Sequence, residues 1–488
     1  MYTAVLHINK PNLNTDSQAK TMLVDSARDV YYENTGEGHY AIRRRPGRTL
    51  FANLGQPEER ISGILRTGQG VFWSDRFNAV FAVSGGKAFR IEQDGSFAEL
   101  AGEAITKGRY VSFAEAQKLD LTPFIYIAHG GRLVYMDGTS VIAPTDENTP
   151  SASAVTSMNN RIWADNGGQD VCITDTNPDT TCFDPFYWSF TGNPLRAAQK
   201  PDIVLALHSA WNEVSMWGTD SIEYWQEDGV NPVSPLVGAT SEVGILAPQT
   251  LKMTNNMLFA LCAMGGKRAV VKMVNRAPQI ISDDIDRELQ KLDTVSDATS
   301  SLVFCGGVNA LVMDFPTEKK SFAYDLKENI WTEWGSWQPG FSRYDSFSSA
   351  GSCYAKAWNR HLVIGHDGNV YSMSRDVYDD MGSELRSLVR TGWINHGVAN
   401  RKRQAALNLK VKSYSPTPCT MLMRWRNDGR PEWSSFMEIP LGSESEQTQW
   451  IKLNRGGIYH SRQYEFVMTD NADLAFMGMT EDYDILRG

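Results

Sequence analysis

The sequence predicts an all-β fold: a β-propeller of about seven blades followed by a C-terminal β-sandwich-like domain. Two observations carry the propeller. Phrases of strand, tight turn and strand recur along the chain, as in "SGGKAFRIEQDGS" (84–96) and "AHGGRLVYMDGTS" (128–140). Their glycine corners Gly86, Gly131, Gly218 and Gly266 stand 45, 87 and 48 residues apart, which is one, two and one repeats of the size of a four-stranded blade. A third observation, 11% aromatic residues with 14 Trp, favours strands over helices.

Residues 1–58 show no repeat and read as an N-terminal arm or first strands, available for contact with a neighbouring subunit. Residues 59–381 hold the repeats. The Gly-Gly and Asp-Gly pairs supply the positive φ angles of two-residue hairpins, and the Asp-Gly turns at Asp94, Asp137, Asp228 and Asp367 need no other role. "MWGTDSIEYWQEDG" (216–229), "LCAMGGKRAVVKMVN" (261–275) and "HLVIGHDGNVYSMSR" (361–375) repeat the pattern. In "AYDLKENIWTEWGSW" (323–337), Tyr324-Asp325 followed by Trp331 is similar to the outer part of a kelch blade. One helix is expected at "SDDIDRELQKLDTV", with Ser282 or Asp283 as N-cap and Ile285, Leu289 and Leu292 on one face. From residue 382 to 488 alternating strands continue without Gly-Gly punctuation, the texture of a separate sandwich.

Charge and chemistry narrow the function. A net charge of -10 argues against a surface that grips nucleic acid, which concentrates Lys and Arg. No apolar run approaches the roughly 20 residues of a membrane span, and the first 17 residues lack a charged start and apolar core, so no membrane insertion is expected. The six cysteines sit mostly in apolar runs, as reduced hydrophobes. There is no GxSxG, P-loop, HExxH or CxxC motif. His361 and His366 are five apart, on opposite faces of a regular strand, which disfavours a shared metal. Asp175, Asn177 and Asp179 start like a calcium loop, but Thr180 replaces its glycine and Pro178 stiffens it, so Asx-turn chemistry accounts for them better. Neither catalytic residue nor cofactor is expected.

Four stretches, "AIRRRPGRTLF" near 45, "FAVSGGKAFRI" near 85, the block from "RIWADNGGQDVC" to "GTDSIEYW" (161–225) and "PQIISDDIDRELQKL" (278–292), resemble the packaged DNA stabilisation proteins of short-tailed phages, also called tail hub or nozzle proteins. The resemblance spans most of residues 40–335, and its long middle block is its most specific part. It implies a structural virion protein of the tail, assembled in the host bacterial cytoplasm. Six copies would form a ring below the portal and its adaptor, extend the DNA channel and help retain the genome. The partners it implies are five further copies, the portal-adaptor ring and other tail proteins (fibre or spike, needle or plug). Double-stranded DNA would pass without specific binding, since an acidic ring repels phosphate.

Two basic clusters, "RRRPGR" (Arg43, Arg44, Arg45, Arg48) and "NRKRQ" (Arg401, Lys402, Arg403), are the candidate inter-subunit or adaptor contacts. The other reading of the first is a strand-end turn within the first blade. Two other functions fit a propeller: a carbohydrate-binding or glycan-cleaving module using its many Trp and loop carboxylates, and a kelch-like protein-binding adaptor.

Overall fold

The computed structural model describes residues 1–6, 8, 18, 19, 24–36, 39–188, 195, 196, 200, 202–227, 233–414, 417–442 and 449–486. Seven radial sheets form a closed propeller. The innermost strands begin at residues 68, 112, 155, 204, 252, 299 and 351. Blade 1 runs outward through Gly68–Ser74, Ala79–Ser84, Lys87–Ile91 and Phe97–Glu99, and blades 2 to 6 follow the same meander.

Strand parity explains why each blade is buried on both faces. In Ala79–Ser84, Val80 and Ala82 pack towards blade 7, while Ala79, Phe81 and Val83 pack towards blade 2. In Pro123–Ala128, Ile125 and Ile127 face blade 1, and Phe124, Tyr126 and Ala128 face blade 3. Successive side chains point to opposite faces, so a continuous apolar run fills two inter-blade cores at once. Each of the seven blade interfaces has its own apolar cluster.

Gly-Gly corners form at Gly85-Gly86 and Gly265-Gly266, whereas Gly131 and Gly218, read as corners in the sequence, lie within strands and have no positive φ. Gly85 and Gly86 have φ of 58° and 79°, the pair of positive angles a two-residue hairpin demands. Asparagine pairs do the same at Asn159-Asn160 (48°, 68°) and Asn255-Asn256 (50°, 57°), corners that a search for glycine passes over. Asp94 and Asp137 accept the amides of Ser96 (2.9 Å) and Thr139 (2.8 Å), as Asx-turns. Asp228 lies outside the described residues. Tyr324 and Trp331 are cross-strand partners with ring centroids 4.9 Å apart, and the Trp331 indole donates to the Ile281 carbonyl (2.6 Å), so the kelch-like pattern here welds the two outer strands of blade 6.

The expected helix is shorter than its sequence pattern, a 3-10 turn at Asp283–Ile285 running into Asp286–Gln290. Ile285, Leu289 and Leu292 do share the core between blades 5 and 6. Ser282 takes the N-cap position of the 3-10 turn but makes no capping hydrogen bond: its hydroxyl accepts the Val270 amide of blade 5 (3.0 Å) instead. Polar demand from the neighbouring sheet outcompetes the helix end.

Blade 7 contains a surprise of connectivity. Its first three strands are Gly351–Ala355, Arg360–Ile364 and Val370–Ser374, but the fourth is Gly47–Ala52, antiparallel to Val370–Ser374. The segment expected to be an arm or first strands therefore supplies the strand that closes the ring.

The remaining N-terminal strands belong to the sandwich. One sheet has the order Val30–Gly36, His39–Arg44, Leu474–Ile485, Lys402–Ser413, Gln449–Tyr459, with Tyr2–Leu6 also on Leu474–Ile485. The facing sheet joins Val24–Arg28, Ser387–Thr391, Arg462–Met468, Cys419–Asn427 and Met437–Gly442. Their common core mixes Ile8, Val30 and Ile42 with Leu409, Phe466 and Phe476. The division at residues 58 and 381 is thus corrected: both ends of the chain build the sandwich, and residues 47–52 belong to the propeller. Val24–Arg28 also lies beside the outer strand of blade 6, with Arg28 and Glu333 paired at 2.6 Å, so the two bodies are continuous. Among the described residues no helix is long and apolar enough to cross a membrane.

Gly47 starts the closing strand in a tight place. A Cβ there would stand 2.3 Å from the Asp379 carbonyl oxygen and 2.5 Å from that of Val377. Gly47→Ala is expected to destabilise the protein by about 1–3 kcal/mol through overpacking, read as a lowered urea midpoint with unchanged m-value.

Candidate functional site: the buried arginine seam and the central channel

The "RRRPGR" segment leaves the sandwich as Arg43 and Arg44 and enters blade 7 as Arg48. All four of its arginines are buried, at 0–2% exposure. Arg45 reaches Asp29 with Nε (2.5 Å) and Asp380 with Nη2 (3.1 Å), and donates to the Gly335 carbonyl (2.9 Å). Arg48 forms a bidentate pair with Asp380 (2.6 and 2.8 Å), donates to the Phe347 carbonyl (2.6 Å), and lies 4.1 Å from the Phe347 ring centroid. Ser336 donates to the same carboxylate (2.7 Å). Arg44 donates to the carbonyls of Asp470, Ala472 and Leu385, and the two terminal nitrogens of Arg43 pair with Glu33 and Asp473.

These contacts correct the expectation for this cluster. Guanidinium groups wholly enclosed by carboxylates and carbonyls of their own chain present nothing to a neighbour. They form a seam where ring closure, blade 6 and sandwich meet. The electrostatics are those of a paired interior. Burial alone would raise the Asp380 carboxyl, but Arg45 and Arg48 overcome it and hold the group well below the usual carboxylate range. Burial, with Arg45 nearby, lowers the Arg44 guanidinium to about 10.

The second basic cluster is divided. Lys402 is buried and donates to the carbonyls of Val398 (2.6 Å), Asn400 (2.9 Å) and His460 (2.6 Å), so it too is an internal support. Arg401 and Arg403 are exposed, Arg403 beside Asp484 at 2.9 Å, and of the candidate contacts only these two face solvent. Sequence reasoning missed Asp29 and Asp380, the partners that turn a basic run into an interior one. One signal was present: the run is bounded by apolar strand residues on both sides, Tyr40 to Ile42 and Leu50 to Ala52.

The seven inner strands surround a central channel. It encloses about 370 Å³, with Phe72 and Phe113 stacked at 5.6 Å on one side and His208, Lys252 and Met253 on another. Lys252 is half-buried at the wall of the bore, and burial lowers its ammonium to about 8. Burial, with Lys252 adding to it, lowers His208 to about 4. Among the residues that line the bore, Lys252 is the single Asp, Glu, Lys or Arg, so the lining is mostly neutral.

No three metal-ligating side chains converge among the described residues. His366 bonds Asp314 at 2.9 Å, away from any shared site with His361. In the 175–179 loop the Asn177 side chain accepts the Asp179 amide (2.9 Å), an Asx-turn.

A family model described as Bacteriophage P22 Gp10, beta-propeller, matches residues 31–377. No curated protein matches the sequence. Among solved structures, the extracellular domain of a putative one-component system from B. thetaiotaomicron is 11% identical at a TM-score of 0.40, over 93% of this chain and 63% of that one. The chain thus spans less than two thirds of that protein. An exo-beta-1,3-galactanase from Phanerochaete chrysosporium is 10% identical at a TM-score of 0.27, over 78% of this chain and 99% of the galactanase.

Two outcomes test the interior chemistry. Arg48→Ala leaves Asp380 short of its bidentate partner and should cost about 3–5 kcal/mol, measured by urea unfolding at pH 7. The contribution of this depressed carboxylate is complete above about pH 5 and decays only in stronger acid. His361, buried in the middle of blade 7 with both ring nitrogens unpartnered, is lowered by burial to about 3. Below the ordinary value near 6.5 the unfolded chain takes up a proton that the folded one refuses, so stability falls as pH drops from about 6.5 to 3. His361→Leu should remove its share of that slope, gaining about 2 kcal/mol on the wild type at pH 5 relative to pH 8, by urea unfolding at the two pH values.

Proposed function

Because residues 31–377 place the chain in the phage stabilisation family of bacteriophage P22 Gp10, a family of phage structural proteins, we propose that it is a component of a short phage tail. In this reading six copies ring the tail axis below the portal and adaptor, extend the DNA path, and help retain the packaged genome. The family match over most of the chain is the observation that carries it.

The geometry supports the ring. A bore of about 370 Å³ has the volume of a small-molecule pocket (about 300–1,000 Å³) rather than of a duplex-wide channel. A DNA path therefore has to run between copies of the propeller. Closed blades suit a wall element, since a ring of sheets has few strand edges that strain or a neighbour could open. A cyclic hexamer needs two different faces of each chain to meet, and the exposed Arg401 and Arg403 on an otherwise acidic chain are candidates for one of them. Net charge of -10 per copy favours passage of DNA without specific binding. The tail fibre or spike and the needle or plug are the further neighbours of this reading. It locates the protein in the virion after assembly in the host cytoplasm.

Purified chain mixed with adaptor-loaded portal rings should give assemblies with six copies by native mass spectrometry. Heads assembled without it should package DNA and then lose it. A chain that stays monomeric and ignores the portal complex would overturn the proposal.

A further inference from the structure

Two strand edges of the sandwich lie on the same side. Among the described residues, Gln449–Tyr459 pairs only with Lys402–Ser413, and Met437–Gly442 only with Cys419–Asn427, so each sheet ends there in an unpaired edge. Between the two edges lies a cavity of about 220 Å³ walled by Leu407, Met423, Trp425, Met437 and Leu453, with Tyr464 at its base. An engineered cavity of about 150 Å³ holds benzene, so this one has room for a large apolar side chain.

The two edges differ. Met437–Gly442 carries Pro440 and exposed Glu438, devices that blunt a strand edge. Gln449–Tyr459 has no proline over eleven residues, and at its start alternates half-buried Ile451 and Leu453 with exposed Trp450 and Lys452. The rim is basic on an acidic chain: Lys452 and Arg455 are exposed and form no ion pair among the described residues.

We propose that this side of the sandwich docks an extended segment of a partner protein whose side chains alternate apolar and acidic. The segment adds as a strand along residues 449–453, seats one apolar side chain in the cavity, and sets its carboxylates against Lys452 and Arg455. Main-chain bonds supply affinity, the cavity fixes register, and the cations select sign of charge. None of this depends on ring formation, so failure of the tail reading leaves it standing.

The test uses the full chain and a fluorescein-labelled twelve-residue peptide of alternating glutamate and isoleucine, its lysine counterpart, and a labelled twelve-base-pair DNA duplex. Saturable binding of the glutamate peptide is expected, at least tenfold tighter than either control, with slowed amide exchange in residues 449–459. The double variant Lys452→Glu, Arg455→Glu should weaken it tenfold or more at an unchanged melting temperature. Met437→Trp, which fills the cavity, should weaken it without altering charge. Equal binding of the two peptides, tighter binding of the duplex, protection elsewhere, or no saturation at millimolar peptide would each overturn the proposal.

Discussion

A ring of seven sheets is stable only when its last gap is shut, and here a single strand shuts it. Gly47–Ala52 pairs with Val370–Ser374, so two segments more than 300 residues apart complete one blade. Once it is in place, every blade is packed on both faces by a neighbour and the apolar runs of all the middle strands are covered. Without it, blade 7 would end at Val370–Ser374 with an open edge, and its shared core with blade 1, which includes Ala52, would be incomplete.

The polar chemistry of the molecule is organised around the same junction. Asp380 receives Arg45, Arg48 and Ser336, drawing together the closing strand, the end of blade 6 and the link to the sandwich. Apolar residues of similar volume could stabilise such a place as well, because desolvating charges offsets much of their attraction. What the ion pairs add is direction: a guanidinium fork accepts few geometries, so the seam ties sandwich to propeller at one angle. A structural protein that must repeat identically around an axis benefits from that fixed angle.

The sequence made the propeller legible and the closure invisible for the same reason. Turn residues and strand parity are local, so Gly85-Gly86, Asp137-Gly138 and the two-faced apolar runs announce blades and their spacing. Asparagine pairs were quieter because asparagine is also common in loops. The pairing of Gly47–Ala52 with residues 370–374 leaves no local trace, which is why the first 58 residues read as an arm. Likewise a run of four arginines looks solvated until Asp29 and Asp380 are brought to it. The apolar face of the short helix was readable, whereas the preference of Ser282 for a blade 5 amide arises only from tertiary contact. The family resemblance, carried mainly by the block ending "GTDSIEYW", agrees with the match over residues 31–377.

The woven ends impose an order on biosynthesis. Tyr2–Leu6 and Gly47–Ala52 cannot find their partners until residues 474–485 and 370–374 leave the ribosome, on the order of tens of seconds later. Blades 1 to 6 can meander into place as they emerge, and Val30–Gly36 can pair at once with His39–Arg44, but the closing strand Gly47–Ala52 must wait unpaired. Maturation of this protein is therefore a post-translational event, and a nascent chain stalled before residue 370 would be a row of blades that no lock yet holds.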